Sequence, residues 1–280
     1  MPIKIITDSG SDLPPEYIEK FNISIVKLAV HFHNEKMPED MDACTFYSKL
    51  RESKELPTTA SPSPLLFLNQ FKEAEDGTDI LVICMSSNIS STYQAALIAK
   101  EMYEDEGHQG RIEIIDSKTF SGGLSLIVAL AAKWSQTTSC IYELKERVHQ
   151  QIKEMNAFFT LDTLENVIKG GRLGRLSGAV ASVLNIKLLL KISSEGTVEV
   201  VDKFRGTQKV LSSLMARLED KQHDYDKGII SIVHSNCEER ALEFKEQLLE
   251  KHPFKEVLFS NMGPIMGTYA GEGGIGVAFS

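Results

Sequence analysis

A chain of 280 residues with a formal net charge of −9 lacks the basic footprint that a phosphate backbone demands, which excludes nucleic acid as a partner. Apolar residues make up 42% and charged residues 25%, the composition of an ordinary globular protein, and no run approaches the roughly 18 apolar residues of a membrane span. The length is generous for one domain and comfortable for two.

From Met1 the chain passes through Lys4 straight into an apolar IIT, so a strand rather than a leader is expected there. KIITDSG (Lys4 to Gly10) reads as that strand with a turn after it. SDLPPEYIEKFN opens a helix, with Asp12 near the N-cap and Pro14 and Pro15 in the first turn. ISIVKLAVHF (Ile23 to Phe32) is a second strand, ILVICM (Ile80 to Met85) a third and Arg111 to Ser117 a fourth, each followed by a helical pattern. The longest apolar run, Leu124 to Ala132 broken only by Ser125, fits a buried helix. Strands alternating with helices predict a mainly parallel, Rossmann-like sheet covered on both faces.

The grammar changes near Met155. FFTLDTL, KLLLKISSEGTVEVVDKFRG, GIISIVHS and EVLFSNMG are strand-like, Lys187 to Val201 reads as a hairpin turning at Ser194-Glu195-Gly196, and helices are expected over Gln208 to Asp220 and Glu238 to Lys251. The expected organisation is therefore an N-terminal α/β domain over 1–155 and a C-terminal α/β domain with a mixed or antiparallel sheet over 156–280. A ligand cleft is expected between them, since domain junctions favour such sites.

Cys44, Cys84, Cys140 and Cys237 are scattered and form no CxxC pair, the pattern of reduced, structural thiols in a cytoplasmic protein. Gly271-Glu272-Gly273-Gly274-Ile275-Gly276 spells a literal GxGxxG, but the dinucleotide motif must follow a strand and open a helix, and no such helix can follow here; a glycine turn is the better reading. His31 and His33 alternate on a strand without the further ligands a zinc site needs, and no metal or cofactor is expected. In Gly170-Gly171-Arg172-Leu173-Gly174-Arg175, two arginines three apart among glycines suit either a basic loop or a carboxylate or phosphate site, and the residues alone do not decide.

Two hydroxyl clusters stand out. Ser86, Ser87, Ser90, Ser91 and Thr92 carry no charge and sit where a strand hands over to a helix. Thr58, Thr59, Ser61 and Ser63 lie among prolines, just before the helix over Leu65 to Phe71. Helix starts offer free N–H groups and a positive dipole end, so hydroxyls there can hold an anion without a buried cation. A serine nucleophile is the rival reading. Ser90 sits in no GxSxG elbow, and His234 could serve as its base only if folding brought the two together.

Taken together, ITDSGSDLPPEYIEKFNISIVKL, PTTASPSP, SSNISSTYQAA, IDSKTFSGG, VIKGGRLGR with NIKLLLKI, FRGTQKVL and NMGPIMGTYAGEGGIGVAF resemble the DegV family in order and spacing, over nearly the whole chain. That family includes the FakB-type fatty-acid-binding subunit of bacterial fatty acid kinase. The resemblance implies two α/β domains with one long-chain fatty acid between them, its carboxylate held by hydroxyls and its tail in an apolar tunnel. It further implies that a separate ATP-dependent subunit phosphorylates the bound acid, and that this chain is a non-catalytic lipid-binding protein. It assigns Thr59, Ser90, Ser91 and Tyr269 to the carboxylate and Arg172 to the phosphotransfer step or rim. Candidate tail-lining residues are Ile25, Phe120, Leu124, Phe159, Leu161, Met262, Ile265 and Met266. The departures are Ala60 where the family has serine, Ser91 for glycine, Tyr269 for histidine and Glu272 for proline; Glu272 is expected to face solvent. A self-sufficient hydrolase or phosphotransferase, or a lipid sensor without a kinase partner, are the alternatives. A cytoplasmic location follows, with no membrane span and at most transient membrane contact.

Overall fold

Uninterrupted apolar runs become buried strands, and amphipathic stretches become the helices that cover them. The computed structural model describes residues 3–33, 35–38, 41–75, 77–173, 186–219, 224–226 and 228–280. In chain order the first half holds β1 (Lys4–Asp8), a 3₁₀ turn (Ser9–Ser11), α1 (Pro15–Lys20), β2 (Ser24–Val26), β3 (Ala29–Phe32), β4 (Glu35–Lys36), α2 (Ala43–Glu52), β5 (Thr58–Ala60) and α3 (Pro64–Lys72). It continues with β6 (Ile80–Cys84), α4 (Thr92–Asp105), β7 (Ile112–Asp116), α5 (Gly122–Ser135) and α6 (Ile141–Glu154). The second half holds β8 (Asn156–Thr160), α7 (Glu165–Lys169), β9 (Ile186–Ile192), β10 (Val198–Arg205), α8 (Thr207–Ala216), β11 (Ile229–His234), α9 (Glu238–Lys251), β12 (Glu256–Asn261), α10 (Pro264–Ala270) and β13 (Ile275–Phe279).

The first sheet runs β2-β1-β6-β7, every pair parallel. Its strands are apolar on both faces, as a doubly covered parallel sheet requires. Ile6, Ile80 and Val82 pack with Phe67 of α3 and Ala96 of α4, whereas Ile5, Leu81 and Ile83 face the cluster that contains α5 and α6. The second sheet runs β10-β9-β8-β13-β11-β12, with β11 and β12 parallel and the other described pairs antiparallel. Its outer face is covered by Leu214 of α8 and Phe244 of α9. Its inner face meets α5, which thus lies between the two sheets and contacts both. Every residue of α5 from Gly122 to Ala129 is buried, which explains why the run has no polar face. This is the α/β architecture that the alternation of strands and helices predicts.

A third, small antiparallel sheet, β4-β3-β5, departs from the sequence reading. ISIVKLAVHF is not one strand. It breaks at Lys27-Leu28, where the Leu28 N–H donates to Ser9 Oγ at 3.0 Å, so β2 joins the parallel sheet while β3 swings out to pair with β5. A continuous β-rich run carries no mark of which partner each half will find. His33 lies beyond β3 at φ 54, so it does not share a strand face with His31. Asp12 does not cap α1, whose N-cap is Pro14. The glycine turn at 271–274 leads into β13, which the sequence reading passed over because its alternating glycine dilutes the strand signal.

Candidate functional site

Antiparallel pairing of β3 with β5 sets Val30 opposite Thr59 and fixes the strand that carries the first hydroxyl cluster. The Thr59 Oγ1 lies 2.6 Å from the phenol oxygen of Tyr269, which α10 delivers from the other end of the chain. Two residues on, Ser61 Oγ lies 3.0 Å from Ser90 Oγ, and Ser90 Oγ lies 2.7 Å from Thr92 Oγ1. Ser91 Oγ donates to Ser61 Oγ at 2.9 Å from an exposed position. The two clusters that stand apart in sequence therefore form one hydroxyl network at the N-terminus of α4.

Tyr269 is held on both flanks. A Cβ added at Gly170 would stand 2.5 Å from its ring, so only glycine permits this approach. The Arg172 guanidinium lies 4.9 Å from the ring centroid and donates to the Gly170 carbonyl at 2.5 Å, a cation–π arrangement on an exposed arginine. Gly174 and Arg175 of the same motif lie outside the described residues.

Thr59, Ser61, Ser90, Tyr269 and Arg172 all line one cavity, whose remaining wall is mostly apolar. Phe120, Phe159, Leu161, Met262, Ile265 and Met266 line it as well, the Phe120 and Phe159 rings meeting edge to face at 6.2 Å. Two of the expected tail contacts do not. Leu124 is fully buried in α5 against the core, because its side chain points into the helix–sheet packing rather than the void. Ile25 lines a separate recess, which shares only Leu28 and Ile265 with the main cavity, since the break at Lys27-Leu28 turns β2 away. Ser91 is likewise absent from the wall and acts on it through Ser61. Glu272 stays out of the cavity wall, as expected, with its side chain 34% exposed; Asn236 Nδ2 donates to it at 2.5 Å, and Arg51 Nε lies 3.5 Å away.

Sequence reasoning counted Ser61 within a hydroxyl cluster but did not single it out as a site residue. It also missed the wall formed by Met85, Ile89, Ser121, Gly122 and Val233. The signal was present in TFSGG, a second strand-to-helix handover rich in small residues that repeats, after β7, the one after β6.

Beside the cavity lie two buried carboxylates, Asp8 at the end of β1 and Asp12 just after the 3₁₀ turn that follows it. Burial pushes Asp8 up to about 6, against the opposing pull of N–H donors from Met85 and Gly10. Burial likewise pushes Asp12 up to about 7, against hydrogen bonds from Ser121 and Gly263 and with the charge of Asp8 adding to the rise. His234 does not meet Ser90. Its Nδ1 accepts from the Cys237 N–H at 3.4 Å, and burial lowers its basicity. The partners of Ser90 Oγ are the hydroxyls of Ser61 and Thr92 and the Thr92 N–H, none of them a base. Among the described residues no three His, Cys, Asp or Glu side chains are grouped to hold a metal.

The chain is similar to known proteins along its whole length. A sequence model described as "Uncharacterised protein, DegV family" matches residues 2–280. A DegV domain-containing protein of Clostridium perfringens is 32% identical over 284 residues, covering 100% of this chain and 99% of its own. A DegV family protein from Ruminococcus gnavus, solved with vaccenic acid, superposes with a TM-score of 0.91 at 27% identity, covering 99% of each chain. DegV from Bacillus subtilis, described as a fatty acid binding protein, superposes with a TM-score of 0.87 at 26% identity over 100% of this chain and 99% of that one. The Streptococcus pneumoniae fatty acid kinase B3 protein, loaded with linoleic acid, gives 0.86 at 25% identity over 100% of this chain and 99% of that one.

Proposed function

We propose, because the chain belongs to the DegV family, that it binds a long-chain fatty acid in this cavity and presents the carboxylate to a separate ATP-dependent kinase subunit, which forms the acyl phosphate. The observation that carries the reading is the meeting, in the wall of one mostly apolar cavity, of two bonded hydroxyl groups: Thr59 with Tyr269, and Ser61 with Ser90. Tail burial supplies ~0.8 kcal/mol per methylene, a gross drive of ~12 kcal/mol for a sixteen-carbon acid before the costs of association. The head group then needs only enough donors to offset its desolvation. Hydroxyls already bonded to one another can exchange those bonds for bonds to a carboxylate. Such neutral donors leave the carboxylate nucleophilic, where a bidentate arginine would quench it. Arg172, exposed and stacked on Tyr269, sits where it can meet incoming phosphoryl charge instead.

In this reading Tyr269 stands in for a histidine: it donates a hydrogen bond but carries no positive charge. The protein is a non-catalytic subunit, working in the cytoplasm where its four free cysteines stay reduced. No described helix is long and apolar enough to cross a membrane, so contact with a bilayer is proposed as transient and superficial. The two lobes are assigned to 1–155 and 156–280.

Denaturing mass spectrometry of the purified protein is expected to release a C14–C18 acid. An empty protein that also fails to bind oleate in titration refutes the reading. Thr59→Ala combined with Ser90→Ala is expected to weaken binding by ten- to a hundredfold, the effect of losing hydrogen bonds to a charged group. Arg172→Ala is expected to leave binding near wild type while lowering acyl phosphate production by the kinase; equal loss of both would put Arg172 on the ground-state carboxylate. Ester or ATP turnover by this protein alone, abolished by Ser90→Ala, would favour an enzyme instead.

A further inference from the structure

Asp12 is used by nothing described so far, yet it bonds to both halves of the chain. Its Oδ2 accepts from Ser121 Oγ at 2.6 Å, its Oδ1 accepts from the Gly263 N–H at 2.8 Å, and its main-chain carbonyl accepts from Ser260 Oγ at 2.6 Å. Ser121 precedes α5 and lines the cavity. Gly263 is the N-cap of α10, which carries Ile265, Met266 and Tyr269 into the same wall. Both ends of the main tie are held in left-handed backbone: Asp12 at φ 48 and Ser121 at φ 50. Such strain in non-glycine residues persists only where the surroundings over-determine it, and it gathers at functional sites. No Lys, Arg or His pairs with Asp12 among the described residues. The ionisable groups around it are Asp8, Tyr47 and, along the neighbouring recess, Lys27. An unpaired buried carboxylate is a poor stabilising device, so its retention calls for another explanation.

We infer that Asp12 is a positioning residue for the head-group end of the cavity: by bonding Ser121 and Gly263 at once, it fixes the start of α5 against the start of α10 and so sets Tyr269 against Thr59. The inference rests on the fatty-acid reading above and deepens it. The geometry needs an acceptor toward Gly263 and any hydrogen-bonding partner toward Ser121, whose hydroxyl can donate or accept. Asparagine meets both demands without charge; alanine meets neither.

The test compares the wild type with Asp12→Ala and Asp12→Asn. Amide hydrogen exchange on the ligand-free protein reads the tie itself, and titration with palmitate and with hexadecanol reads its effect on the head group. Asp12→Ala is expected to speed exchange over residues 263–270 at least tenfold and to weaken palmitate at least tenfold, while hexadecanol changes less than twofold. Asp12→Asn is expected to match the wild type in all three. Unchanged exchange and binding in Asp12→Ala, or equal impairment of Asn and Ala, overturns the inference. So does equal loss of acid and alcohol, which would mean a collapsed cavity rather than a misplaced head-group end. Should Asp12→Ala fail to fold, Ser121→Ala removes one arm of the tie and must show the same acid-selective loss, or the inference falls. A wild type that binds no palmitate overturns the reading beneath, while the exchange result still judges the tie.

Discussion

Tyr269 shows what single positions decide. Its phenol reaches Thr59 only because Gly170 leaves room for the ring. Gly170→Ala is expected to displace the phenol and weaken fatty-acid binding severalfold, with little change in melting temperature because Gly170 caps a short helix at φ −72, where alanine fits the backbone. Binding equal to wild type, with the Thr59–Tyr269 contact intact in a crystal structure, would contradict this. Asp8 and Asp12 make a separate statement about pH. Their folded values of about 6 and about 7 exceed the ordinary carboxylate value. Between roughly pH 4 and pH 7 the folded chain therefore holds protons that the unfolded chain has released, and stability falls as pH rises, by up to ~1.4 kcal/mol per unit for each group. Denaturant unfolding at several values from pH 5 to pH 8 is expected to show this fall, and Asp12→Asn is expected to flatten it; a parallel slope in the variant would be the contrary result. At this scale the hydroxyl clusters were visible as uncharged runs ahead of helices, whereas Arg172 entered only through the family resemblance, its glycine-rich loop suiting two readings. Ser61 and Asp12 were not singled out, because a serine in a proline-rich loop and an aspartate before a helix each have an ordinary local explanation that masks a distant partner.

Among the elements, α5 explains most about where the cavity lies. The Gly122-Gly123 pair lets its first turn approach β11 closely: a Cβ at Gly122 would stand 3.1 Å from Ser231 Oγ and 3.2 Å from Val233 Cγ1. Gly122→Val is expected to lower stability by about 1–3 kcal/mol through overpacking and to narrow the cavity it lines. Calorimetry and the accepted acyl length measure the two effects, and an unchanged melting temperature would show that β11 yields freely. The existence of α5 was plain from its apolar run, and the parallel sheet from the alternation of strands with helices. The small β4-β3-β5 sheet was invisible, because whether Ile23 to Phe32 makes one strand or two is settled by distant partners and not by local pattern.

For the molecule as a whole, the proposed boundary at 155/156 separates two sheets that share a helix. α5 belongs to the first lobe by sequence but packs on β11 and β13 of the second, and α10 of the second packs on α2, β3 and β5 of the first. A fragment of residues 156–280 alone is expected to be aggregated or molten, since the sheet face that α5 covers would be bare. A sharp, cooperative melt of that fragment would show instead that the lobes are self-sufficient. The layered α/β class was readable from element order. The interlocking of the lobes was not, because it depends on which face of a wholly apolar helix meets which sheet.

β13 occupies the middle of the second sheet, hydrogen-bonded to β8 on one side and β11 on the other. During synthesis, that sheet stays split into two unjoined ribbons until residue 279 clears the ribosomal exit. A nascent chain stalled even ten residues short keeps raw strand edges on both ribbons, a ready target for chaperones and proteases. Joining of the two ribbons therefore waits on β13, whatever the order in which the other elements of this half form.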